Sequence, residues 1–202
     1  MHYVQIGLSL NKKVNIITKK IAYSGFFKLK KYTFKHKKHD GKWSKTLIRE
    51  VFEGGEVVTV LPYDSKKKKI LLLDQFRHGL LEQKHSPTIK EIVAGYVDKN
   101  ESPRKAAIRE CEEETGCSVK KIKKIFSYYS APGAEQSYYH FFLAEVDSFR
   151  GYKIVGKKDE DEDILVKSYS TKQAKQMLNK GKIINGLTII ALQWFFLNHK
   201  KN

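Results

Sequence analysis

Cysteine is nearly absent from this chain: of its 202 residues only Cys111 and Cys117 carry a thiol, which excludes a disulfide framework. Six positions apart around an expected helix end, the two also lack the spacing of a zinc site, so both read as reduced core residues of a cytoplasmic protein. Proline is scarce at 4 residues, and neither an internal repeat nor a low-complexity linker interrupts the sequence. Long apolar runs are missing as well. The best, residues 187–197, is broken by Gln193 and falls short of the ~20 residues that a bilayer span requires. Residues 1–10 are mildly apolar but precede their lysines, the reverse of a secretion signal.

Acidic residues are outnumbered, 22 against 39 Lys and Arg, for a formal net charge of +17. Only five of those cations are arginines (Arg49, Arg77, Arg104, Arg109, Arg150). A lysine bias of this kind makes a solvated surface. The alternative, a basic face for nucleic acid, needs interleaved stacking aromatics and a reading motif, and no such motif is present. The scarce arginines are a different matter, because a planar guanidinium is favoured where phosphate or carboxylate must be gripped.

What is abundant is apolar and aromatic residue, 41% and 12% of the chain, enough for a sizeable core. Residues 15–43 alternate apolar or aromatic with lysine, and His39, Asp40 and Gly41 signal a hairpin turn. A basic, half-buried sheet is predicted over residues 1–50. Residues 51–202 read as a second region, beginning with two apolar strands around a lysine turn. A short strand runs into Gly95, and two more flank a loop at Pro132 and Gly133. Residues 150–163 read as a long loop and the remainder as helical, Ser170 capping one helix that Gly181 stops and residues 187–198 forming another. Strands mixed with a few helices predict an α/β sandwich.

Residues 95–117, GYVDKNESPRKAAIRECEEETGC, hold five glutamates. Ser102 and Pro103 open a helix and Gly116 ends it, so residues 103–115 are predicted helical. Ala107, Ile108, Cys111 and Thr115 make its core stripe, while Glu110, Glu113 and Glu114 project together from another face and Glu112 points to solvent. Acids in the C-terminal half oppose the helix dipole and one another, at a few tenths of a kcal/mol each. A solvated face would interleave lysines, and here none intervene. Divalent cations would neutralise the cluster, since Mg²⁺ and Mn²⁺ take carboxylate oxygens and bind phosphate in turn.

The same string resembles the Nudix box, filled by Gly95, Glu101, Arg109, Glu110, Glu113, Glu114 and Gly116, with Cys111 and Cys117 in slots the family usually gives to bulky aliphatics. The resemblance implies a Nudix-type α/β/α sandwich with a mixed sheet. It makes Glu110 and Glu114 the principal metal ligands, Glu113 their assistant and the Ala94 carbonyl a further ligand, with Arg109 and Glu101 orienting the glutamates. Two or three Mg²⁺ or Mn²⁺ ions clamping a diphosphate would support in-line hydrolysis.

Beyond the box, REVFE at 49–53, EIVAG at 91–95, APG at 131–133, DEDEDI at 159–164 and ALQW at 191–194 resemble the ADP-ribose pyrophosphatase branch. That implies cleavage of ADP-ribose to AMP and ribose 5-phosphate, with Glu160 or Glu162 as the base. Arg49 and Arg77 would face the nucleotide or its phosphates, together with Pro132 and Gly133 of the branch-marking loop. Glu50 would accept from the adenine amino group, and Phe26 or Phe27 would stack on the ring. Residues 63–77 also resemble the GDP-mannose branch, the alternative substrate class. The relatives imply a homodimer whose N-terminal strands cross between subunits, and no membrane association.

Overall fold

Alternation of apolar and basic side chains becomes pleated strand at the N-terminus, in a computed structural model that describes residues 13–156 and 162–199. Strand β1 (Val14–Ser24) pairs antiparallel with β2 (Lys28–His36), and β2 with β3 (Leu47–Phe52). The turn after β2 has Gly41 at φ 78° and the Asp40 carboxylate accepting from the Lys42 N–H at 2.9 Å, as the sequence predicts. This sheet and residues 129–138 form one compact unit. Phe52 anchors the added segment, donating to the Ala134 carbonyl at 2.9 Å and accepting from the Gln136 N–H at 3.2 Å.

The second unit comprises residues 56–128 and 139–199. Its strands are β4 (Glu56–Asp64), β5 (Lys69–Phe76), β6 (Thr88–Glu91), β7 (Val93–Tyr96), β8 (Val119–Tyr129), β9 (Tyr138–Val146), β10 (Tyr152–Val155) and β11 (Ile164–Ser170). They form a mixed sheet in the order β10-β11-β5-β4-β9-β8, with β6 on β5 and β7 on β4. Helices α1 (Pro103–Thr115), α2 (Thr171–Asn179) and α3 (Gly186–Asn198) complete it.

The period-two pattern of the central strands decides which helix lies where. Val58, Val60, Leu71 and Leu73 pack with Ala106, Ala107 and Cys111 of α1 on one face. Leu61, Ile70 and Leu72 pack with Ala174 of α2 and Leu192 and Phe195 of α3 on the other. Each such buried aliphatic contributes about 1.5–3 kcal/mol. The result is the expected α/β/α sandwich. Among the described residues, no helix is long and apolar enough to cross a membrane.

Two elements depart from the sequence reading. Residues 152–155, expected as loop, form β10, and residues 164–170, expected within a helical remainder, form β11. Both are β-branched or aromatic segments: β10 pairs with β11, and β11 is anchored far away in sequence, Ile164–Ser170 lying along β5 from Gln75 to Lys69. The C-terminal helices are where they were expected, Ser170 forming a capping box with Gln173.

Candidate active site

Helix α1 is punctuated as its residues dictate. The Ser102 hydroxyl accepts from the Lys105 N–H at 3.3 Å, Pro103 occupies the first turn, and Gly116 closes the helix at φ 61°. Those boundaries fix which way each glutamate faces. Arg109 is the hub of the cluster. Its Nε and Nη2 donate to the two oxygens of Glu101 at 3.2 and 2.9 Å, and its Nη1 to Glu110 at 2.6 Å and Glu113 at 3.5 Å. Nη2 also reaches the Tyr96 carbonyl at 3.1 Å. The Glu101 hydrogen bond foremost keeps the guanidinium charged.

Glu114 does not project away from the core stripe as the sequence suggests. Ala107, Cys111 and Glu114 are spaced i, i+4, i+7, and all three are buried, Glu114 to 7% exposure. Burial, then the charges of Glu110 and Glu162, push its carboxyl well above the ordinary carboxylate range, while a 3.2 Å hydrogen bond from the Ala94 N–H opposes them. Arg77 lies in the field of Glu114 and Glu162 and is itself held by Glu91, through Nε at 3.0 Å and Nη2 at 2.5 Å. Glu112 is not merely solvated: its carboxylate accepts from the Val119 N–H at 2.9 Å and ties α1 to the start of β8.

A model of the NUDIX domain matches residues 54–185, and a model of the GDP-mannose pyrophosphatase NudK N-terminal domain matches residues 13–52. The chain belongs to the Nudix family. An ADP-ribose pyrophosphatase of Haemophilus influenzae is 39% identical over 189 residues, 92% of this chain and 87% of its own. A GDP-mannose pyrophosphatase of Escherichia coli is 32% identical over 192 residues, 94% of this chain and 98% of its own. The crystal structure of an ADP compounds hydrolase shares the fold at a TM-score of 0.71 and 18% identity, covering 94% of this chain and 98% of that one.

Nudix hydrolases in general depend on divalent metal ions, and the residues here fit such an ion on two counts. A buried carboxylate, Glu114, is pressed by two other carboxylates, a charge surplus that a cation would relieve. Gly95 supplies the second, since a Cβ at that position would overlap the Glu110 carboxyl, so only glycine lets the glutamate reach the strand. Among the described residues no three His, Cys, Asp or Glu side chains are already gathered at ligand spacing. Glu110 is turned to Arg109 and Glu114 to the Ala94 N–H.

The second unit holds Ala94, Gly95, Glu101, Arg109, Glu110, Glu113, Glu114, Gly116, Arg77 and Glu162; within it Arg109 links Glu101, Glu110 and Glu113, and Glu114 meets the Ala94 N–H in the field of Glu110, Glu162 and Arg77. The Glu162 Oε1 accepts from Gln75 Nε2 at 3.0 Å. Glu160 lies outside the described residues. Arg49, Glu50, Phe26, Phe27, Pro132 and Gly133 belong to the other unit. There Glu50 pairs with Lys31 at 3.2 Å, Arg49 donates to the Ile48 carbonyl at 2.7 Å, and Phe26 and Phe27 are 93% and 45% exposed. A cavity of about 680 Å³ lined by Tyr63, Lys68, Lys175 and Phe195 lies on the α2–α3 face of the sheet, across from α1. Sequence reasoning did not single out Glu91, Gln75 or Asn185. The one available signal was Glu91, an acid within the otherwise apolar strand EIVAG.

Proposed function

We propose that this Nudix hydrolase splits ADP-ribose into AMP and ribose 5-phosphate, using Mg²⁺ or Mn²⁺ at two or three positions. The observation that carries it is identity of 37–39% with ADP-ribose pyrophosphatases over more than nine-tenths of the chain, joined to a buried Glu114 amid like charge. Glu110 and Glu114 would hold the metal, Glu113 would assist, and the Ala94 carbonyl would add an oxygen. In a strand, one residue's N–H and C=O point to the same side, so the hydrogen bond from the Ala94 N–H to Glu114 also directs that carbonyl towards Glu114. When bound, the ions would neutralise diphosphate oxygens and lower the pKa of a water.

The remaining chemistry belongs to this chain's own side chains. Arg109, gripping Glu101 bidentately, keeps Glu110 aimed. Arg77 meets the diphosphate. Glu162 or Glu160 takes the proton as water adds to one phosphorus, and the P–O–P bond breaks with both electrons leaving on the bridging oxygen. The nucleoside contacts are assigned to Arg49, Glu50, Phe26, Phe27, Pro132 and Gly133. A cytoplasmic homodimer fits the free, buried cysteines and the exposed apolar side chains of β1–β3, among them Ile21, Ile48 and Phe52.

GDP-mannose is the second reading, favoured by the N-terminal model and the 32% relatives. Phosphate release, after phosphatase treatment, from a panel of nucleoside diphosphate sugars separates the two. ADP-ribose should give the highest kcat/KM, and a preference of about tenfold or more for GDP-mannose would reverse the assignment.

A further inference from the structure

The N-terminal turn of α3 is wired to the candidate active site through a chain of hydrogen bonds whose direction is fixed at every step. Where the strand leaves β5 for β4, between β6 and β7, Ile92 belongs to neither ladder. Its N–H donates instead to the Thr188 hydroxyl at 2.9 Å. That hydroxyl donates to Asn185 Oδ1 at 3.0 Å, which also accepts the Thr188 N–H at 2.9 Å. With Oδ1 committed to the helix, the amide Nδ2 must face the other way, and it donates to Glu91 Oε1 at 3.0 Å. Glu91 is buried at 4% exposure and divides its carboxylate, one oxygen for Asn185 and the other for Nε and Nη2 of Arg77.

The residue type at 185 is over-determined by these two partners. Asparagine, aspartate and serine cap a helix about equally well. Serine is too short to reach Glu91, and aspartate would set a second carboxylate against it. Asparagine alone among them offers an acceptor to the helix and a donor to a buried acid at once. Arg77 needs such restraint because Glu114 and Glu162 also attract it. Released from Glu91, its guanidinium would collapse onto those acids, removing a cation from the substrate and two anions from the metal. Among the described residues the Arg77 Nη1 carries no protein hydrogen bond, so the edge left over is the one that can meet a phosphate.

We infer that Asn185 is a positioning residue for the hydrolysis: through Glu91 it fixes the rotation of the Arg77 guanidinium so that its outer edge meets the substrate diphosphate. This rests on the reading of Arg77 as a diphosphate contact. Asn185→Ser isolates the effect, since the cap survives and the donor does not. The expected result is a KM about tenfold higher with kcat within about threefold, the pattern of lost ground-state binding, and a melting temperature lowered by a few degrees for the bond lost to buried Glu91. Asn185→Asp, which also caps, should raise KM further by repelling Glu91, and it serves if the serine variant is too unstable to assay.

In an Arg77→Ala background neither substitution at 185 should add to the defect. An Asn185→Ser enzyme with wild-type KM beside a defective Arg77→Ala enzyme overturns the inference alone. So does a loss at 185 that keeps its full size without Arg77. An Arg77→Ala enzyme with unchanged KM removes the diphosphate contact and the inference together. The comparison is run on whichever nucleoside diphosphate sugar is hydrolysed fastest, so that a different substrate preference does not bear on the coupling.

Discussion

Glu114→Gln should make the metal-free protein more stable while nearly abolishing turnover. The substitution keeps the side chain's size and its acceptor oxygen, so the hydrogen bond from the Ala94 N–H at 3.2 Å can persist in weaker form. Replacing a charged acceptor by a neutral one there costs about 1 kcal/mol. Against that stands relief of a buried carboxylate that is pressed by Glu110 and Glu162, where the effective penalty for an uncompensated ion is several kcal/mol. The balance is a gain of about 1–3 kcal/mol, or roughly 3–8 °C in melting temperature for a domain of this size. The pKa shift sets the conditions. Because the folded carboxyl titrates above its unfolded value, the penalty is complete only above the raised pKa, and the wild type regains stability as pH falls through it. Melting should therefore be compared in chelator across a rising pH series, the advantage of the variant growing with pH, then with Mg²⁺ at about 100 times its Kd. That excess adds about 2.7 kcal/mol to the wild type and little to the variant, so the order of stability reverses. Turnover of the variant should fall by about 100-fold or more. A variant that melts below wild type in chelator, or retains activity within about tenfold, would refute the ligand role.

Gly95→Ala should push the flexible Glu110 carboxyl off the strand with little change in urea unfolding but about 100-fold loss in kcat/KM through misplacement of the carboxylate; wild-type kinetics would show that the overlap is absorbed elsewhere. Asp64 makes a structural prediction away from the chemistry. Burial alone would raise its carboxyl, but hydrogen bonds from the Lys67 N–H at 2.8 Å and from the Ser148 hydroxyl and N–H at 2.7 and 2.8 Å bring it down to about 2. Its contribution is thus present in full above pH ~4 and lost as pH falls through ~2, and Asp64→Asn should forfeit about 2 kcal/mol at pH 7, read as a urea midpoint difference that closes under acid.

Much of the site was legible because its helix carries its own punctuation: Ser102, Pro103 and Gly116 fix the phase, and the phase fixes where each glutamate points. Spacing from Glu110 and Glu113 grouped Glu114 with the other acids, whereas its spacing from Ala107 and Cys111 also sets it on their stripe, and burial at 7% exposure shows that the stripe prevails. Strands β10 and β11 were obscured because both are short and lie beside an acidic run: β10 is held by β11 alone, and β11 in turn by β5, ninety residues earlier in the chain. Glu112, read as pointing to solvent, and Asn185, not singled out, were missed for a related reason. Each meets its partner, Val119 or Glu91, across a fold that spacing along one helix cannot reveal.

The two thiols offer a last consequence. Cys111 and Cys117 are both enclosed against the sheet by the helix that carries the glutamates, and burial foremost lifts the Cys111 thiol to about 12. Neither sulfur is open to oxidants or alkylating reagents while that helix stays seated. The rate at which a maleimide labels the protein is therefore a clock for unseating of that helix, read without substrate, and any ion that grips the glutamates should slow it.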